Sequence, residues 1–200
     1  MQDFQQNPQW KELLFLILPF LEDLPKEMTW ALGGGTALSL QLAHRTCANL
    51  DIFFEDTRAL KEISQTNLHE TIIKMRSSGN VLEIRTKKGN IFCIFAMKMT
   101  NDPHIVFDFN NKKMHIETID EIIAKKIKYK SSELNLIDVV DISSAIQNDD
   151  EIIFRLANYD YLKGDLWKAY HRLSLLKDNF YESNTMYDIC IHYIEDALKT

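Results

Sequence analysis

The sequence predicts an α+β fold: a mixed β-sheet flanked by helices, followed by a C-terminal helical bundle. Three observations predict it. A glycine run (Gly33, Gly34, Gly35) separates a short apolar stretch from a helical one. Several short segments rich in Val, Ile and Phe follow, each bounded by turn residues. From Thr118 onward every pattern is helical. That shift divides the chain into a mixed core over 1–117 and a helical region over 118–200.

The elements follow in order. Asn7 and Pro8 read as an N-cap and a proline in the first helical turn. The helix runs to about Asp23, with a kink or break expected near Pro19. Met28 to Leu32 reads as a strand entering the glycine turn, and Thr36 to His44 as a helix. Asn49 to Phe54 reads as a strand, with Leu50, Ile52 and Phe54 on one side and Asn49, Asp51 and Phe53 on the other. Thr57 to Met75 reads as helical, in one or two pieces. Val81–Arg85 and Ile91–Met97 form a hairpin about Lys88, Gly89 and Asn90, and His104–Phe109 is a further strand. Helices are expected at roughly 119–130, 136–147, 150–161, 164–178 and 184–198. Their aromatic residues, Trp167, Tyr170, Phe180, Tyr181 and Tyr193, suit packing core or a partner surface.

Bulk properties narrow the class. The chain has 200 residues, 46% hydrophobic and 26% charged, which supports a packed core. Cys47, Cys93 and Cys190 are too widely spaced for a metal cluster or disulfide framework, and fit a reducing compartment. Leu13 to Leu21 is apolar but short, contains Pro19 and lacks a basic flank, so a soluble cytoplasmic protein without a membrane span is expected. A net charge of −6 argues against broad nucleic-acid binding. A basic tract (Lys112, Lys113, Lys125, Lys126, Lys128, Lys130) suits either one phosphate-bearing ligand or a solvated helix face.

The stretch Ala31 to Asp56 carries the chemistry. Glycines, a hydroxyl, a helix and then two polar residues at i and i+2 of a strand are the layout of a nucleotidyl-transfer site. Such a site must hold a triphosphate, bind divalent metal (usually Mg²⁺) through carboxylates on rigid strands, and align an attacking hydroxyl. Gly34, Gly35 and Thr36 can meet the first need, because a helix N-terminus favours anions. Thr36 can also cap that helix; a plain structural turn fits the same residues. Asn49 and Asp51 point the same way, and Asp108 completes a metal-binding group if its strand pairs with theirs. His44 and Arg45 sit where positive charge suits a helix C-terminus, or brace the Asn49–Asp51 strand, or touch phosphate. Asp138 and Asp141 share a helix face. Lys126 pairs with them structurally or reaches the nucleotide.

The segment GGGTALSLQLAHRTCANLDIFF resembles the AbiEii/AbiGii-type toxin family of nucleotidyltransferase-fold proteins. The glycines, Thr36, Ala37, Leu38, His44, Arg45, Asp51, Phe53 and Phe54 fall in register with its pattern. Asp108 looks like its third acidic residue, and Lys126, Asp138 and Asp141 look like its helical motif, so the resemblance spans about 29–142. It implies the toxin half of a bacterial toxin–antitoxin pair used in phage defence. It further implies nucleoside triphosphate and Mg²⁺ binding and nucleotide transfer to RNA (tRNA ends) or a protein, with a cognate antitoxin as partner. Asp51, Asp108 and Lys126 would be catalytic, with Asp108 the base; Gly34, Gly35, Thr36, Arg45 and Lys126 would hold the nucleotide. Asn49, Asp51 and Asp108 would hold metal, supported by His44, Asp138 and Asp141. Three residues depart from the pattern: Asn49 replaces the first metal aspartate, Cys47 a serine, and Glu133 stands near an arginine position. A neutral amide oxygen is a poorer ligand for a hard cation than a carboxylate. The two readings are therefore an impaired transferase and a non-catalytic relative that binds nucleotide or a partner.

Overall fold

The computed structural model describes residues 8–65, 72–178 and 185–200. Asn7, residues 66–71 of the expected long helix, and Phe180 and Tyr181 lie outside the described residues. The chain divides into two compact units, Met1–Thr118 and Ile119–Thr200.

Among the described residues, the first unit is a seven-stranded mixed sheet with three helices. Its strands are β1 (Trp30–Gly33), β2 (Leu50–Phe54), β3 (Ile72–Ser78), β4 (Val81–Thr86), β5 (Gly89–Phe95), β6 (His104–Phe109) and β7 (Lys112–Glu117). Their order is β3-β4-β5-β2-β1-β7-β6. β2 runs antiparallel to β1 and parallel to β5, and β1 runs parallel to β7. The helices are α1 (Pro8–Glu22), α2 (Gly34–Leu42) and α3 (Thr57–Gln65). α1 packs on β2 and β5, α2 on β1, β2 and β7, and α3 on β4 and β5.

α1 continues through Pro19 without the expected break. Leu13, Leu14, Ile17, Leu18 and Leu21 are all buried. At about 1.5–3 kcal/mol for each buried side chain, their packing outweighs the ~3 kcal/mol that an internal proline costs.

Two strands depart from the sequence expectation. Ile72 to Met75 belongs to β3 rather than to a helix, because Ser78 pairs with Val81 across a two-residue turn at Gly79 and Asn80. Gly79 supplies the left-handed backbone of that turn (φ +56). β7 was not expected at all. It pairs with β6 through Asn110 and Asn111, both left-handed (φ 51 and 62), the conformation a type I′ hairpin requires. Asparagine tolerates that region better than other non-glycine residues.

The second unit is helical: α4 (Ile119–Lys130), a 3₁₀ turn (Ser131–Glu133), α5 (Leu136–Asn148), α6 (Ile152–Ala157), α7 (Asp160–Asp178) and α8 (Thr185–Lys199). The expected helix over 150–161 is instead the short α6, with α7 starting at Asp160. α5 opens on a capping box: the Asn135 side chain accepts from Ile137 N and Asp138 N, and the Asp138 carboxylate accepts from Asn135 N. Arg155 ties α6 to α4 through two 2.9 Å bonds to Asp120, and bonds Asp149 at 2.7 Å. Those carboxylates raise its pKa. Among the described residues of this unit the fully buried aromatic is Tyr187, whereas Trp167 is 50% exposed and stacks on His171. Among the described residues, no helix is long and apolar enough to cross a membrane.

Candidate functional site

The glycine turn joins β1 to α2 and sets four side chains against three consecutive glycines. Helix α2 begins at Gly34, earlier than expected, with Gly33 as its N-cap. Thr36 therefore lies inside the first turn rather than capping it. Gly34 is left-handed (φ +59), a conformation that costs an L-residue about 1–2 kcal/mol. A Cβ on Gly33 would collide with Glu117 and the Phe53 ring, one on Gly34 with the Asp51 carboxylate, and one on Gly35 with the Arg45 guanidinium. At Gly33 the Phe53 ring leaves no room for a side chain, whereas at Gly34 and Gly35 the atoms met are the ends of the Asp51 and Arg45 side chains, which a Cβ would displace.

Each of these groups is held by a separate element. Asp51 sits at the start of β2, opposite Gly33 across the antiparallel ladder. Arg45 follows the helix, which ends at Leu42 with Ala43 in the left-handed cap position. Arg45 Nη1 donates to Cys47 Sγ at 2.9 Å and, at 3.4 Å, to the Thr46 carbonyl. The Ser39 hydroxyl donates to the Arg45 carbonyl. The buried Thr36 hydroxyl donates to the Asn49 carbonyl at 2.7 Å, stitching α2 to the strand that carries Asp51. His44 lies in the half-buried link between the α2 cap and Arg45.

Asp108 is elsewhere. Its strand, β6, does not pair with β2; β1 and β7 lie between them. Three inter-strand steps place it about 14 Å away across the sheet. It pairs with Lys113, four residues before Glu117 on β7, which puts it about 13 Å further along, at the opposite end of the strands. The expected trio of Asn49, Asp51 and Asp108 is not assembled. The carboxylate that sequence reasoning missed is Glu117, which ends β7 with its side chain against Gly33 and has no exposed surface. The alternation Met114, Ile116 on β7 was the signal for that strand, hidden by reading its lysines as part of a basic tract.

The donor set does not fit a divalent cation. A Mg²⁺ site on β2 needs carboxylates on the Asp51 face. Asn49 Oδ1 accepts from Asn90 N at 3.3 Å, so this amide is turned toward β5. The β5 residue opposite Asp51 is Phe92, and the others on that face are Asn90 and Ile94. Glu117 is sealed from solvent. Among the described residues, no group of three or more His, Cys, Asp and Glu side chains is placed to hold a metal ion.

Lys126, Asp138 and Asp141 come together in the second unit as a buried triad. Lys126 Nζ lies 2.7 Å from Asp138 Oδ1 and 2.9 Å from Asp141 Oδ2, and both carboxylates are almost wholly buried. Burial alone would lower the lysine pKa; the charges of Asp141 and Asp138 outweigh it and hold it above 10.5. Four other lysines of the basic tract are also paired. Lys125 meets Glu121, Lys128 meets Asp165, Lys130 meets Asp138, and Lys112 meets Glu22. These lysines serve as ion-pair partners within the fold rather than as an open cationic face.

No family model matches the sequence, and no curated protein sequence matches it significantly. Solved structures do resemble the fold. One is ANT(2″)-Ia in complex with adenylyl-2″-tobramycin: 11% identity, 74% of this chain and 95% of that chain covered, TM-score 0.54. Another is an antigenic nucleotidyltransferase-like protein from Paracoccidioides brasiliensis: 12% identity, 92% and 94% covered, TM-score 0.51. With its mixed sheet, glycine turn and helical C-terminal region, the chain has a nucleotidyltransferase-like fold.

Proposed function

We propose that this chain is a cytoplasmic, AbiEii/AbiGii-type toxin component of a bacterial toxin–antitoxin or phage-defence pair, and that it binds a nucleoside triphosphate at the Gly33–Thr36 turn. One observation carries the reading. Three successive glycines front Glu117, Asp51 and Arg45, so the polypeptide brings a helix N-terminus, two carboxylates and a guanidinium to one turn. That combination suits a phosphate-bearing ligand. The sequence resemblance over 29–142 supplies the toxin assignment and calls for a cognate antitoxin as partner. The core over 1–117 holds this turn, and the helical region over 118–200 holds the Lys126 triad.

Binding without turnover is the activity the geometry supports best. Metal-dependent transfer of a nucleotide to tRNA or a protein is the second reading. Asp51 favours it, and the missing carboxylates at Asn49 and Phe92 oppose it. Equilibrium binding of the four nucleoside triphosphates, beside label transfer from each α-³²P nucleotide to bulk tRNA and cell protein, separates them. Binding with no labelled acceptor is expected. A labelled acceptor that is lost in Asp51→Asn would establish the transferase, and absence of all binding would remove the nucleotide assignment.

A further inference from the structure

We infer that the sheet carries a second anion-binding site, apart from the glycine turn: Lys74, Arg76 and Arg85, on the exposed face of β3 and β4, take the phosphate group of a ligand whose planar ring lies on Phe92. The site goes beyond the nucleotide reading of the turn and stands or falls separately from it.

The pairing of the strands builds this face. Leu82 and Ile84 of β4 and Ile91 and Cys93 of β5 are buried on the core side of the sheet. The residues that alternate with them point the other way. There the register lines up one row across four strands: Asp51 on β2, Phe92 on β5, Glu83 on β4 and Arg76 on β3. Lys74 and Arg85 oppose one another two residues along, on the same face. With neighbouring strands about 4.8 Å apart, Arg76 stands three steps, about 14 Å, from Asp51. A single phosphate held beside Asp51 cannot span that gap, so the cations address a different group.

Their arrangement costs the sheet stability. Residues 72–90 hold five cations (Lys74, Arg76, Arg85, Lys87, Lys88) and one carboxylate, Glu83, in a chain whose net charge is −6. Like charges directly opposite on an antiparallel pair destabilise it, yet Lys74 faces Arg85. Glu83 does not relieve all three cations on the face. It is committed to Arg85, whose Nε lies 2.8 Å from Glu83 Oε1 and whose Nη2 lies 3.4 Å from Oε2. That bond holds the Glu83 carboxyl below its usual range, and Arg76 and Lys74 act on it at longer range. Among the described residues, no ion pair holds the Lys74 or Arg76 side chain. A local rule broken without a compensating contact is the mark of a functional position. Two such cations match a phosphate ester, which carries up to about two negative charges where a carboxylate carries one. Arg76 supplies the planar fork and Lys74 a point charge. Beside them the half-buried Phe92 offers a ring on which a base stacks. The ligand is therefore a nucleotide phosphate, free or within a single strand.

The test is proton–nitrogen NMR of the full chain, read at the arginine Nε–H and the backbone amides. The probes are adenosine monophosphate, a single-stranded oligoadenylate and, as the uncharged control, adenosine. A phosphate-bearing probe shifts the Arg76 side chain and the Phe92 amide, and adenosine does not. A response to the monophosphate assigns the site to free nucleotide; a response to the oligoadenylate alone assigns it to a strand. Arg76→Gln weakens binding about tenfold or more, the size of one charge-assisted hydrogen bond. Glu83→Gln, which releases Arg85 and removes the competing charge, tightens it. Lys163→Gln, on the exposed side of α7, leaves it unchanged. No response on β3 and β4, an equal response to adenosine, or full binding by a natively folded double variant (Lys74→Gln with Arg76→Gln) overturns the inference. Shifts confined to Gly33–Thr36 overturn it while sparing the nucleotide reading of the turn; shifts confined to β3, β4 and β5 do the reverse.

Discussion

Replacing Lys126 with methionine separates a structural role for the triad from a catalytic one. Methionine keeps the length of the side chain and removes the ammonium. Asp138 and Asp141 then remain with side chains 2% and 0% exposed and without the cation that sits 2.7 and 2.9 Å from them. Removing one partner of a buried ion pair costs about 3–5 kcal/mol. With an m-value of about 2 kcal/mol/M, the urea midpoint at pH 7 falls by about 1.5–2.5 M. The pH dependence has a definite sign. In the wild type the folded pKa of Lys126 lies above 10.5. Its stabilisation is therefore complete below the unfolded value and is lost only as pH rises through the higher folded one. Adding Asp141→Asn to Lys126→Met recovers part of the loss. An unchanged midpoint in Lys126→Met, with nucleotide binding abolished, would refute the structural assignment and return Lys126 to the ligand.

Three further outcomes are expected. Gly34→Ala combines about 1–2 kcal/mol of left-handed strain with displacement of the Asp51 carboxylate; calorimetry shows nucleotide binding lost while the far-ultraviolet circular dichroism stays native. Arg155→Met breaks the bonds to Asp120 and Asp149, and because Arg155 is 42% exposed the loss in urea unfolding is held to about 1 kcal/mol. Burial pushes the Cys93 and Cys190 thiols up to about 12, so both resist iodoacetamide at pH 8 in the native protein and react once it is unfolded. Rapid native labelling of either would show that its unit opens.

The parts of the molecule that the sequence made legible are those with local causes. The alternation of Leu50, Ile52 and Phe54 against Asp51 and Phe53 fixed the faces of β2, and the burial follows it. The hairpin of β4 and β5 was likewise legible, although its turn lies at Lys87 and Lys88, with Gly89 and Asn90 already paired in β5. The glycine turn was legible as a turn, with Asp51 and Arg45 beside it, but Glu117 was not, because it reaches Gly33 only through the pairing of β7 with β1. Asp108 shows the converse. Its strand was recognisable, yet a strand's position in a sheet is set by non-local pairing, and β6 falls at an edge. Pro19 failed as a helix breaker because five buried neighbours outweigh it. The basic tract was misleading for a related reason: the carboxylates that answer its lysines, such as Glu22 and Asp165, are remote in sequence.

The parallel pairing of β1 with β7 also sets a timetable for synthesis. Leu32 aligns with Ile116, so 84 residues separate the partners (116 − 32). At the ~5–20 residues per second typical of translation, about 4–17 seconds pass between the appearance of one and the other. Throughout that interval one edge of β1 has no partner strand, and the glycine turn lacks the Glu117 side that completes it. A ribosome-bound chain stopped before residue 116 therefore carries the glycine motif without the finished turn.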